Sequence, residues 1–364
     1  MSLFRGRVPR ALALGAFIAA ASPASRAIAQ DSTGTTVKFV IPPVETHGFL
    51  EIYYRSGDPL TKDGYRLRKA DLKFSGAISP HLRWRITFDA GKALTLNSSR
   101  GTESDSAALN GVSVDQRSRM LQDAALTYTF NPYIGFDVGQ QIVPLSLEGT
   151  LNTWNIETIE RANFEVERSR AVGLGDVRDI GVAANGLAQG LEYHVGMFNE
   201  MGDAGGSTTD GNQQKSVLAR LSYHTPFLTG FQIGGTGGYE GGPPNQKKQR
   251  AATEVQYRNS RFVLRGETMA ARDGLLRRFG WYGLSAYRLR PDLQLVARYD
   301  SWDRDKTAES SLSNALQRQI VGGFSYFIEN GNCKLAVNVI RQTFPNISSV
   351  RDATFGLFAL QALF

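Results

Sequence analysis

Residues 82–89 read Leu82-Arg83-Trp84-Arg85-Ile86-Thr87-Phe88-Asp89. Every second side chain is apolar, and every intervening one is charged or hydroxylic. This is the period of a β-strand, whose successive side chains point to opposite faces. One face suits an apolar medium and the other suits water. The pattern recurs outward in both directions: Leu126-Tyr128-Phe130 alternates with Thr127 and Thr129, and Val217-Ala219-Leu221-Tyr223 with Leu218, Arg220, Ser222 and His224. Leu293-Leu295-Ala297-Tyr299 and Leu335-Val337-Val339 repeat it, and no helical stretch of comparable length competes.

The period predicts strands at 48–55, 66–78, 82–92, 120–130, 134–144, 177–185, 191–199, 216–224, 231–240, 251–257, 262–270, 279–289, 293–302, 319–328, 334–343 and 352–364. Tight connections fall at 79–81, 131–132, 186–190, 226–230, 258–260, 290–292 and 329–332. They alternate with long polar ones at 56–64, 96–119, 145–177, 201–214, 241–249 and 303–314. Outer-membrane barrels have short periplasmic turns and longer external loops, and a soluble sandwich has no reason to keep that parity. The expected fold is all-β: a transmembrane antiparallel β-barrel of about sixteen strands, wide enough to enclose a channel.

The N-terminus agrees with export. Arg5, Arg7 and Arg10 precede an apolar run at 11–21, which is about half the length of a spanning helix, and Ala27-Ile28-Ala29 has the small-x-small form that signal peptidase cuts. The expected organisation is a signal peptide at 1–29, an N-terminal lead at 30–47 and a pore domain at 48–364, in the outer membrane of a Gram-negative-type bacterium. The chain carries 41 Lys+Arg against 34 Asp+Glu; without the leader's four arginines, 37 basic residues face 34 acidic ones, an excess of +3. Such a balance gives no case for nucleic acid, and the pI near 9.5 is partly the leader's. The single Cys333 excludes an internal disulfide and has no assigned role, and the four histidines lack metal-ligand spacing. No metal or cofactor is expected.

Period two also sorts charges. A Lys or Arg facing lipid at mid-depth costs roughly 2–4 kcal/mol, so Lys73, Arg83, Arg85, Arg220, Arg265 and Arg298 are expected to line the lumen. There they could draw anions, or pair with the interior acids Asp71, Asp89, Asp137, Glu254, Glu267 and Asp300; both readings stand. The longest connection, 145–177, has apolar side chains at Leu147, Leu151, Trp154, Ile156, Ile159, Phe164 and Val166. A loop of this length with apolar positions of its own can pack, and it is expected to fold into the barrel and narrow it. Arg161, Arg168 and Arg170 are then constriction candidates, opposed by Glu157, Glu160, Glu165 and Glu167.

Several runs resemble the phosphate-selective porin O and P family. They are Tyr65–Gly76 (YRLRKADLKFSG) followed by Trp84–Asp89 (WRITFD), Gln122–Tyr128 (QDAALTY), Val138–Glu148 (VGQQIVPLSLE), Ile159-Glu160-Arg161, and Arg178–Val182 (RDIGV). The resemblance spans 48–364 and is clearest between 65 and 186. It implies a sixteen-stranded trimeric porin with an inward third loop and an arginine-rich anion path for phosphate or polyphosphate. Arg161 and Arg178 match motif positions, and Arg68 and Lys69 stand where the family has a basic cluster. Gln140, Gln141 and Ile142 depart from the family's lysine-containing segment, and the charge excess is small. The resemblance therefore supports a porin more than it supports phosphate as the solute. Expected partners are phosphate-like anions, outer-membrane lipid and lipopolysaccharide, two further copies of the chain, and the barrel assembly machinery. The last expectation rests on the terminal strand ending in Phe364, with Phe358, Leu360, Ala362 and Phe364 on one face.

The alternative within transport is a weakly selective general diffusion porin whose arginines are neutralised by acids. An outer-membrane enzyme would need a nucleophile held by a base; no serine motif surrounds His194 or His224, and His47 and His81 lie at strand ends. A plugged structural barrel would need a plug, and the polar lead from Gln30 to Pro43 is too short to be one.

Overall fold

A computed structural model describes residues 27–30, 36–39, 42–57, 63–92, 95–96, 112–113, 120–165, 174–201, 214–307, 316–328, 331–347 and 351–364. The chain divides into two units, Met1–Pro43 and Val44–Phe364. In the first, Ala27–Gln30 pairs antiparallel with Thr36–Phe39. The charged and apolar regions of the expected signal peptide, 1–26, lie outside the described residues.

The second unit is a closed antiparallel barrel of sixteen strands in chain order. They are β1 (Glu45–Ser56), β2 (Gly64–Ala77), β3 (Leu82–Asp89), β4 (Leu121–Asn131), β5 (Ile134–Ile142), β6 (Arg178–Ala188), β7 (Leu191–Phe198), β8 (Ser216–His224), β9 (Phe231–Glu240), β10 (Lys248–Arg258), β11 (Phe262–Asp273), β12 (Leu276–Arg290), β13 (Leu293–Asp303), β14 (Leu316–Ile328), β15 (Cys333–Thr343) and β16 (Ala353–Leu363). Each predicted strand overlaps one of these. The ring closes where β16 pairs with β1, from Gly356↔Ser56 to Leu363↔Phe49. Beyond that ladder, Gly48 and Phe364 exchange both backbone hydrogen bonds, at 2.6 and 3.1 Å. Closure leaves the barrel itself no open strand edge, which a hydrocarbon medium requires.

The alternation is that of a membrane barrel. On β8, Ser216, Leu218, Arg220 and Ser222 are buried inside, while Val217, Leu221 and Tyr223 are exposed on the outer wall. The C-terminal strand behaves likewise: Phe355, Leu357 and Ala359 are buried, and Phe358, Leu360 and Phe364 are exposed. Turn chemistry sets the tight end. The Asn131 carboxamide accepts from Tyr133 N and Ile134 N, and Asn259 accepts from Arg261 N and Phe262 N. The turn after β6 uses two left-handed residues, Gln189 (φ 51) and Gly190 (φ 85).

One connection breaks the expected parity. β11 and β12 run on to Asp273 and Leu276, leaving only Gly274-Leu275 between them at the long-loop end. Gly274 takes φ 60, the positive φ that a two-residue hairpin turn of type II′ needs at its first central position.

Candidate functional site

A β-bulge shapes the basic wall. Glu51 pairs with Lys69 and Ile52 with Leu67, so Arg68 is the extra residue on β2. The bulge lets consecutive residues Arg68 and Lys69 both face the lumen. Below them, Asp71, Lys73 and Ser75 continue the same face. On β3 it carries Arg83, Arg85, Thr87 and Asp89.

Of the twelve cations singled out from the sequence, Arg168 and Arg170 lie outside the described residues. Nine are paired with acids. Arg68 Nη1 meets Glu51 at 3.2 Å, Lys69 meets Asp71 at 3.6 Å, Arg83 meets Glu45 at 3.2 Å, and Arg85 meets Asp137 at 3.4 Å. Arg178 bridges Asp123 (3.2 Å) and Asp176 (3.1 Å). Arg220 meets Glu254 at 2.5 Å, Arg265 meets Glu157 at 3.0 Å, and Arg298 meets Asp300 at 3.0 Å. Arg161 lies 3.8 Å from Asp176. Lys73 is the exception: it is exposed, with no hydrogen bond or ion pair among the described residues.

Several of these cations hold the third long connection. Ser146 caps a short helix, Leu147–Thr150, by accepting from Gly149 N at 2.9 Å. The two first amides of that helix, Leu147 N and Glu148 N, each donate to Glu267 of β11 at 2.8 Å, a carboxylate at a helix N-terminus. Arg161 donates to the carbonyls of Glu148 and Leu151, and Ala162 N donates to the Glu148 carboxylate at 2.8 Å. Arg161 is therefore a brace within the connection, not a free cation.

The wall then clamps the segment. Arg258 and Arg265 hold Glu157, at 2.5 and 3.0 Å. Arg298 donates to the Thr158 hydroxyl at 2.8 Å and to Glu160 O at 2.6 Å, and Arg55 donates to the Glu160 carboxylate at 2.7 Å. Arg68 donates to Ile159 O, Asn338 accepts from Ile159 N at 2.7 Å, and Lys334 donates to Trp154 O at 3.1 Å and Ile156 O at 3.3 Å. Apolar packing completes the clamp: Phe164 is fully buried, its ring 6.0 Å from Tyr282 and 6.4 Å from Trp302.

The sequence reading missed Arg55, Arg258 and Lys334. Period two places each on the inner face of its strand, but nothing local names its partner. It also treated the histidines as scattered. Across β7 and β8 the fold brings His194 and His224 to the same carboxylate, with Nε2 atoms 3.3 and 3.0 Å from Glu192.

Between the clamped segment and the β1–β6 wall lies a cavity of ≈ 540 Å³. Its cations are Lys69, Lys73, Arg85, Arg161 and Arg178; its acids are Asp71 and Asp123. The rest of the lining includes His47, Phe49 and Trp154.

The family model described as phosphate-selective porin O and P matches residues 47–233. No curated protein matches the chain. Among solved structures, OmpF of Salmonella typhi in complex with daunomycin is similar at TM-score 0.62 and 11% identity, covering 89% of this chain and 98% of that one. The outer-membrane channel DcaP of Acinetobacter baumannii gives 0.57 and 13%, covering 92% and 99%. The trimer form of OmpT from Vibrio cholerae gives 0.58 and 10%, covering 88% and 99%. At these identities the likeness is one of fold.

Proposed function

The chain belongs to the phosphate-selective porin O and P family, and from that we propose that this outer-membrane porin passes small solutes by diffusion with a preference for anions such as phosphate or polyphosphate. One observation carries the preference: the cavity beside the clamped segment is lined by five Lys and Arg side chains against two acids, and Lys73 has no acidic partner among the described residues. Ammonium and guanidinium groups there would replace part of an anion's hydration as it passes, the guanidinium groups by paired N–H donors. The segment at 143–165 is read as folded into the barrel and narrowing it, supported by its bonds to inner-face side chains of β1, β2, β10, β11, β13 and β15. Exit of a solute requires weak holding, and a few partly neutralised cations suit that better than a dense cluster.

The arginines bound to Glu254, Asp300 and Glu157 favour a second reading, a weakly selective diffusion pore. The reversal potential of the purified protein under a KCl gradient separates the two. Chloride selectivity with phosphate reducing the current is the expected result; a potential near zero without block supports general diffusion. Lys73→Glu is expected to move the potential toward cation preference. The shift should be larger at 0.1 M salt, where the Debye length is about 10 Å, than at 1 M, where it is about 3 Å.

On the same reading the leader at 1–29 is removed on export, the chain assembles as a homotrimer, and Phe364 addresses the assembly machinery. The trimer form of the Vibrio cholerae neighbour supports the second of these.

A further inference from the structure

On the outer wall, Arg272 of β11 and Arg277 of β12 stand directly opposite each other in the ladder. Like charges so placed repel. Lys306 joins them, because its backbone N donates to Arg277 O at 2.8 Å, and its Nζ stands 5.3 Å from the centroid of the Phe279 ring. All three side chains are exposed. Arg272 donates to Gly274 O at 3.0 Å, and Arg277 makes no side-chain hydrogen bond or ion pair among the described residues. No acid pairs with any of the three among those residues.

The inner face of the neighbouring rungs is different. There Asp273 takes both Arg250, at 2.6 Å, and Arg278, at 3.4 Å. At this end the chain neutralises the lumenal Arg250 and Arg278 and leaves Arg272, Arg277 and Lys306 without a counter-charge among the described residues. Their height explains why this is tolerated: a cation on the lipid face costs roughly 2–4 kcal/mol at mid-depth but about 0–1 kcal/mol near the interface. The Gly274-Leu275 turn belongs to the end with the long connections, which is the external end of an outer-membrane barrel.

Next to this trio an outer-wall groove of ≈ 760 Å³ is lined by Val217, Ala219, Gly237, Tyr239, Ala251 and Ala270. Small residues on adjacent strands leave a shallow trough where bulky ones would fill it. A cationic rim over an apolar trough matches a molecule with an anionic head and a hydrocarbon body.

We propose that this groove binds a phosphorylated, multiply acylated glycolipid of the outer leaflet, with the chemistry of lipid A. Its phosphate sits on Arg272, Arg277 and Lys306, and an acyl chain lies along the trough. Guanidinium and ammonium groups bind phosphate oxygens by short charge-assisted hydrogen bonds. The inference rests on the outer-membrane orientation and is independent of the pore's ion preference.

Native mass spectrometry of the detergent-purified protein, offered lipid A or its dephosphorylated form, tests it. Lipid A should be retained at a concentration at least tenfold below that needed for the dephosphorylated lipid. The triple variant Arg272→Gln, Arg277→Gln, Lys306→Gln should hold lipid A no better than the wild type holds the dephosphorylated form, while Arg272→Lys alone keeps most of the binding. Equal retention of the two lipids by the wild type, or undiminished retention by the triple variant, overturns the proposal. Heat-modifiable gel migration verifies that each variant is a folded barrel, and the wild-type comparison decides the question even if the triple variant is not. A zero reversal potential alongside lipid A retention would sink the anion reading and leave this site standing.

Discussion

Phe164 is fully buried against Tyr282 and Trp302 because residue 280, two before Tyr282 on β12 and directly opposite Trp302, is glycine: a Cβ there would lie 2.6 Å from the Phe164 Cβ. The wall is recessed where the ring enters. Phe164→Ala empties that recess, and truncating a buried phenylalanine typically costs about 3–5 kcal/mol. The loss should fall on the attachment of the segment more than on the barrel ladder. The expected result is noisier single-channel current with little change in the temperature at which the strands unfold. Gly280→Leu fills the recess from the other side and should produce the same noise; quiet, wild-type current in both variants would refute the packing argument.

At the scale of the element, the clamped segment carries its own pH dependence. Burial, with Glu267 and Glu148 beside it, pushes the Glu165 carboxyl well above the usual carboxylate range; the Ser146 hydroxyl and Arg161 offset this only in part. A carboxyl whose pKa is raised in the folded state favours folding fully at pH below its unfolded value. That contribution is lost as pH rises toward the folded value. Attachment should therefore weaken as pH rises above the ordinary carboxylate range. Glu165→Gln should abolish the trend: equal to wild type near pH 4, more resistant to heat-induced loss of the narrow conductance level at pH 8. An unchanged pH profile in the variant would assign the trend to another group.

The strands themselves were legible because lipid and water sort side chains so sharply that Leu82–Asp89 announces both faces. The Gly274-Leu275 turn was not: the apolar alternation stops short of the ends of its flanking strands, which leaves 271–278 unassigned. Nor was the clamp. Arg298 could be placed on the inner face from its neighbours, yet its partners Thr158 and Glu160 lie far away in sequence, and a period contains no pairing information. Period two places Arg265 and Arg298 on the lumen face and leaves open whether they form an anion path or pair with acids; the fold gives them the loop's carboxylates and carbonyls, and of the candidate cations among the described residues only Lys73 is left without an acid.

For the whole molecule, Phe364 finishes the seam that closes the barrel. Phe364 extends the β16–β1 seam through its bonds to Gly48, and a Cβ at residue 48 would sit 2.1 Å from the Phe364 ring. Removing Phe364 is expected to lower the yield of heat-modifiable barrel in cells severalfold, while protein refolded in detergent loses only the end of the seam. Normal assembly in cells would show that the terminal phenylalanine is dispensable as a signal.

The clamp has a consequence in time. Its donors and acceptors come from strands spread around the ring, from Arg55 on the first to Lys334 and Asn338 on the fifteenth. They converge only after those strands have met, so the segment between β5 and β6 is a keystone set into an arch already standing. On the proposed reading, a newborn channel is wider than a mature one. Recordings of insertion into a bilayer should then begin with a brief high-conductance level that steps down once and does not return.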